Sequence, residues 1–381
     1  MKKAILCIVA AILIISTYCC TSTTGKIKVI KAVSNTVDIR DGQKFYKSYW
    51  LINPDLKPDV YATDNDNKKV TFYTDIDSIS FDVEPNKTYD FVILINGKDS
   101  AWTQIQTRPS RLDILKQASA YNTSDDRPTP SWTYLSKDDP NLKRIRKTFN
   151  LDSIAGNGSE TSKIINLLYW VHDAVRHDGS IDNPQSKNAI DLINICRKEN
   201  RGINCRMMAT ILNECYLSMG FKSRFVTCMP KELKFDDCHV INMVYSNELG
   251  KWVWMDPTFA AYVKDENGIL LGIEEVRERL INDKPLILNS DANWNHQHIQ
   301  TKEYYLDKYM AKNLYRIEAV ASSSYNVETA RKNRKVDYIQ LIPLGGIEQS
   351  PQKHEHVDEK SNSVITHYKT NNPEKFWAVP K

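Results

Sequence analysis

Asn204-Cys205-Arg206-Met207-Met208-Ala209-Thr210-Ile211-Leu212 decides how this chain is read. The stretch places a cysteine at the start of an apolar helix. Met208, Ile211, Leu212 and Cys215 form its buried stripe, and Gly220 is the expected stop just after Met219. Downstream, His239-Val240-Ile241-Asn242-Met243-Val244-Tyr245 reads as a strand that begins on a histidine. The next strand lies within Lys251-Trp252-Val253-Trp254-Met255-Asp256-Pro257-Thr258 and ends on an aspartate; Ser246-Asn247-Glu248-Leu249-Gly250 is the turn between them. Ser223 to Cys228 is a further strand. Helices followed by an antiparallel sheet predict an α+β domain.

The three residues suit one chemistry. A free cysteine is largely protonated near neutral pH, and only the thiolate attacks. A helix N-terminus lowers the cost of that charge, and its free N–H groups can donate to an oxyanion. A histidine can hold the displaced proton, and an aspartate can fix the imidazole tautomer. His239 and Asp256 lie on strands joined by a short turn, so their ends can meet. Each residue alone is more often structural. Together they name a nucleophile, a base and an orienting acid.

The wider segments Asn204 to Ala209, Met219-Gly220-Phe221-Lys222-Ser223-Arg224-Phe225-Val226, Asp237-Cys238-His239-Val240 and Trp252 to Thr258 resemble the transglutaminase-like superfamily. The resemblance covers roughly residues 160–262. It implies a papain-like α+β core, with Cys205 as nucleophile, His239 as base and Asp256 as orienting acid. It implies a thioester on Cys205 and amide bonds of proteins or peptides as substrate. Water as acceptor makes a peptidase or amidase, and a lysine amine makes a transglutaminase. No cofactor and no metal are implied. Two departures stand out: Asn204 precedes the cysteine with Gly202 three back, and Val240-Ile241 follows the histidine. The second oxyanion donor is not assigned; Trp170, His177 and Gln185 are the upstream candidates. A competing reading is a catalytically silent protein- or glycan-binding module at the cell surface. A metal site at Cys215, Cys228, Cys238 and His239 is disfavoured because no Cys-x-x-Cys pair is present.

The rest of the chain frames this core. Lys2 and Lys3 precede an apolar run from Ala4 to Ile15, too short to span a bilayer, and residues 1–20 read as an export signal. Cys19 or Cys20 followed by Thr21 to Thr24 opens a second reading, a lipidated anchor at the periplasmic or outer face of a bacterial cell. The formal charge of +4 becomes +2 without Lys2 and Lys3, with no basic patch that argues for nucleic acid. Residues 26–108 read as a small antiparallel β domain. Val70 to Tyr73, Ile79 to Val83 and Tyr89 to Ile95 are its clearest strands, and Asn96-Gly97 marks a tight hairpin. Residues 109–145 read as a connector, and residues 146–320 as the core domain. Helices are expected at Ile164 to Val175, Ala189 to Arg197 and Ile273 to Ile281. Trp294, His296 and His298 sit in a polar aromatic loop. Residues 321–381 are weakly patterned apart from a strand at Tyr338 to Pro343. Five cysteines lie beyond Cys20, and Cys228 and Cys238 bracket one short connection; pairing and free thiols both remain open.

Overall fold

The computed structural model describes residues 27–380, apart from 65–68, 85–86, 119 and 236. The export signal and the Cys19-Cys20 pair lie outside the described residues. Two compact units divide at Arg108 and Pro109.

The N-terminal unit is a pair of four-stranded sheets. One has the order Lys28–Ala32, Thr88–Ile95, Asp99–Arg108, Asp59–Asp64; the other has Lys44–Leu51, Thr36–Asp41, Lys69–Tyr73, Ser78–Asp82. Alternation builds the core between them. Val37 and Ile39 of one strand and Phe91 and Ile93 of another are fully buried, and Phe72 meets Phe91 at a ring separation of 5.0 Å. Asn96 and Gly97 both take positive φ, 51° and 68°, at the hairpin between Thr88–Ile95 and Asp99–Arg108. The unit is not wholly antiparallel. Lys28–Ala32 runs parallel to Phe91–Ile95, and Asp59–Asp64 runs parallel to Thr103–Arg108. Period-two patterning sets which face is buried but is silent on strand direction.

The second unit is built on a seven-stranded sheet. Its order is Lys251–Met255, His239–Ser246, Ser223–Met229, Arg316–Val320, Lys335–Leu341, Ser363–Thr370, Lys353–Asp358. All seven residues of Ser223–Met229 are buried, because both faces of the sheet are covered. On one face lie the helices Glu160–Ala174, Ala189–Glu199 and Cys205–Ser218, packed with Val244, Val253 and Met255. The other face carries Ile241, Met243, Trp252 and Trp254, covered by the Ile273–Ile281 helix and by Tyr305, Leu306 and Met310. The three helices start on side-chain caps, with Ser159, Asn188 and Asn204 each accepting from a backbone N–H one turn on.

Residues 321–380, weakly patterned in sequence, belong to the central sheet. They supply three of the seven strands and end in a short helix, Pro373–Phe376, whose Phe376 is fully buried. Described residues of the connector are tied to the end of the chain. Asp125 accepts from Thr370 Oγ1 and Asn371 N at 2.9 and 2.6 Å, and the Trp132 indole donates to Lys375 O. Between Trp132 and Trp252 the fully buried Arg224 guanidinium is stacked at 3.8 and 4.6 Å from the two rings. Arg224 therefore serves the core as a cation–π brace.

Glu214 fixes the cysteine helix against its neighbours. Its fully buried carboxyl accepts from Ala189 N at 2.8 Å and Asn326 N at 2.7 Å. Burial pushes its pKa up to about 8 despite those two N–H donors. Glu214→Ala orphans both donors and opens a cavity, and a loss of roughly 3–5 kcal/mol is expected. Urea unfolding checks this; an unchanged midpoint would show that the clamp contributes little.

Candidate active site

The three sequence-selected residues reach one point from three elements. Cys205 is the first residue of the Cys205–Ser218 helix, so its N–H has no intrahelical partner to satisfy. Asn204 caps the helix and accepts from Met207 N at 3.1 Å. The helix lies across the face of the sheet that carries Val240 and Asn242, and Asn242 Nδ2 donates to Ala209 O at 2.9 Å. His239 leaves from the opposite face, with Ile241 and Met243. It still meets Cys205 because it is the first residue of its strand, at the sheet margin where the helix begins.

Register places Asp256. Asn242 pairs with Met255, so Asp256 follows opposite Ile241, on the face of His239. The strand itself stops at Met255, and Asp256 continues in a bridge to Ala261. His239 Nε2 and Asp256 Oδ2 are 2.7 Å apart, with both side chains almost fully buried. A carboxylate only accepts, so Nε2 carries the proton and Nδ1 is left for the thiol.

Asp256 has further partners that the sequence did not reveal. Tyr305 donates its hydroxyl to Oδ2 at 2.6 Å, Thr258 N donates to Oδ1 at 2.9 Å, and the Trp254 indole donates to the Tyr305 oxygen at 3.2 Å. Tyr305 begins a six-residue π-helical turn, Tyr305–Met310. The same turn sets Tyr309 against the His239 ring at 5.2 Å, with Phe259 at 5.5 Å. Such a turn inserts a residue into the helical period, so no regular spacing in the sequence marks it.

The charges follow from these contacts. Burial works against ionisation of Cys205. Hydrogen bonds from His177 and His239, the His239 charge and the Val240 N–H outweigh it and bring the thiol down to about 6. Burial alone would lower His239. The Asp256 charge and hydrogen bond, aided by the Cys205 sulfur, push it up to about 10. Both directions favour a thiolate–imidazolium pair. The arrangement can hold a nucleophile and its proton side by side, with His239 and Asp256 buried and Cys205 partly open to solvent.

The three upstream candidates separate cleanly. Trp170 packs on Phe149 at 5.2 Å, within the helical layer. Gln185 lines a separate cavity of about 370 Å³ with Asp191 and Thr329. Only His177 hydrogen-bonds Cys205. All five cysteines among the described residues are free, Cys228 and Cys238 included.

Residues 147–257 match the model of the transglutaminase-like superfamily. No curated protein matches the chain. Among solved structures, a candidate cysteine protease from Cytophaga hutchinsonii aligns at 22% identity over 37% of this chain, with a TM-score of 0.25. The chain spans 43% of the length of that protein. LapG from Legionella pneumophila aligns at 12% identity over 34% of this chain and 75% of its own, with a TM-score of 0.24. Its EGTA-treated form aligns at 13% identity over 49% of this chain and 98% of its own, with a TM-score of 0.25. Residues 147–257, the segment that holds Cys205, His239 and Asp256, form a transglutaminase-like core.

Proposed function

We propose that the chain is an exported cysteine hydrolase or acyltransferase acting on amide bonds of proteins or peptides. The observation that carries this reading is the line from buried Asp256 and His239 to Cys205, with Nε2 held at 2.7 Å by the carboxylate, which leaves Nδ1 for the hydrogen bond to the thiol. Cys205 is the nucleophile, His239 the base and acid, and Asp256 the orienting carboxylate. The thiolate attacks the carbonyl carbon, and the C–S bond forms as the C=O π pair moves to oxygen. Collapse expels the amine, which takes its proton from His239 Nδ1. Water or a second amine, deprotonated by His239, then attacks the thioester and restores the thiol. Hydrolysis is the simpler outcome, since water needs no acceptor pocket. Export is supported by Lys2-Lys3 ahead of the Ala4 to Ile15 run, and lipidation at Cys19 or Cys20 would tether the protein to a membrane. Among the described residues no helix is long and apolar enough to cross one.

The test is alkylation by iodoacetamide across pH, with the labelled cysteine identified by mass spectrometry. A thiol lowered to about 6 is ionised above that pH and protonated below it. Labelling of Cys205 should therefore rise with a midpoint near 6. In His239→Ala the midpoint should move toward the ordinary thiol value of about 8.5. Wild-type labelling that rises only near that ordinary value sinks the reading.

A further inference from the structure

The attack on a carbonyl leaves a negative oxygen, and one donor for it is the Cys205 N–H at the helix start. A second donor is needed for a two-armed oxyanion hole. His177 stands beside Cys205 for reasons built into the backbone. It forms a parallel bridge with Ile203, two residues before the cysteine, where Asp178 N donates to Ile203 O at 2.8 Å and Ile203 N to Arg176 O at 3.0 Å. Gly202 makes this approach feasible. A Cβ there would sit 2.6 Å from the Asp178 Cβ and 2.9 Å from the Arg176 carbonyl oxygen. The loop at Asn293 to His298 then clamps the residue. Asn295 Oδ1 accepts from His177 N at 2.8 Å, and Asn295 Nδ2 donates to His177 O at 2.9 Å.

The ring is fixed as well. Trp294 Nε1 lies 3.0 Å from His177 Nδ1. An indole nitrogen can only donate, so Nδ1 must accept, and the ring proton resides on Nε2. The nitrogen left to face Cys205 is therefore an N–H donor held in one tautomer. This is the wrong form for a base, because its free lone pair is already taken by Trp294. It is the right form for a donor to developing negative charge.

We propose that His177, locked by Trp294, is the side-chain oxyanion donor of the site. The assignment rests on Cys205 being the nucleophile. In the resting protein the Nε2–H points at the sulfur. As the tetrahedral adduct forms, it bonds the carbonyl oxygen alongside the Cys205 N–H and keeps its own proton throughout. The proton of the leaving group comes from His239.

Two probes separate this role from any effect on the thiolate. Iodoacetamide reacts at a saturated carbon and forms no oxyanion. p-Nitrophenyl acetate acylates through a tetrahedral oxyanion and reports it as a nitrophenolate burst. Both rates are taken at their high-pH plateau, where the thiol is fully ionised. In His177→Ala the alkylation plateau should stay within about twofold of wild type while the acylation plateau falls about 10²- to 10³-fold. His177→Gln, which restores an N–H donor, should recover at least about tenfold of that loss. Trp294→Phe frees the tautomer and should lower acylation several-fold with alkylation unchanged. Wild-type acylation in His177→Ala overturns the proposal, and so does an equal fall in both plateaus, which would mean that His177 serves the thiolate or the fold. A wild-type Cys205 that acylates but shows no dependence on His177 removes only this assignment. A wild-type Cys205 that neither acylates nor alkylates at acidic pH removes the cysteine-enzyme reading and this one with it.

Discussion

Cys205→Ala is expected to give a folded protein that forms no acyl-enzyme. Replacing the sulfur with hydrogen at the first position of a helix removes one half-buried atom, and alanine is well suited to that position. The fold should lose no more than about 1 kcal/mol. Acylation by p-nitrophenyl acetate should fall to the rate of buffer alone, since loss of a nucleophile costs up to about 10⁶-fold. Among the described residues no other thiol is placed to substitute. Cys215 and Cys228 are fully buried and held well above the ordinary thiol range by that burial. Burial also raises Cys196, and burial with the nearby Cys205 charge raises Cys238. Mass spectrometry after brief acylation is the check. An acetyl group found on Cys238, or undiminished turnover, would mean that the nucleophile has been misassigned.

Cys205, His239 and Asp256 are legible in the sequence for a physical reason. Each sits where a regular element begins or ends, and such ends carry punctuation that sequence displays: Gly202 and Asn204 before the helix, Asp237-Cys238 before the strand, Pro257 after Asp256. The residues that hold them were hidden for equally physical reasons. Tyr305 lies 49 positions beyond Asp256, in a lysine-bearing segment that gives no apolar stripe, and its π-helical turn breaks the period that would have marked it. His177 is one of three upstream candidates, and composition alone does not separate it from Trp170 or Gln185. The separating facts are a close backbone approach at Gly202 and a tautomer fixed from a loop 117 positions away. Residues 353–358, Lys-His-Glu-His-Val-Asp, form an edge strand with almost every side chain exposed. Such a strand has no buried face to write into its sequence, so residues 321–381 read as weakly patterned although they complete the sheet.

Asp256 carries the second large effect, and the choice of substitution matters. Three buried donors converge on its carboxylate: His239 Nε2, the Tyr305 hydroxyl and Thr258 N. Asp256→Ala strands all three at roughly 1–3 kcal/mol each, which threatens a fold worth about 5–15 kcal/mol in total. Its inactivity would therefore say little about chemistry. Asp256→Asn keeps the shape and one oxygen acceptor but removes the charge. After burial, which opposes it, that charge is the leading reason His239 holds its proton up to about 10. Without it the imidazolium is less stable, and the Cys205 thiolate loses its counter-ion. Acylation near neutral pH should fall roughly 10³- to 10⁴-fold, with the remainder sustained by the oxyanion donors. The iodoacetamide midpoint should climb from near 6 toward about 8.5, because a thiol without its partner ionises only in the ordinary range. The two readouts must move together. A slow Asp256→Asn that keeps the acidic midpoint would place the carboxylate's role in orienting the ring alone. A variant with wild-type rate and midpoint would leave the line from Asp256 to Cys205 as structure without chemistry.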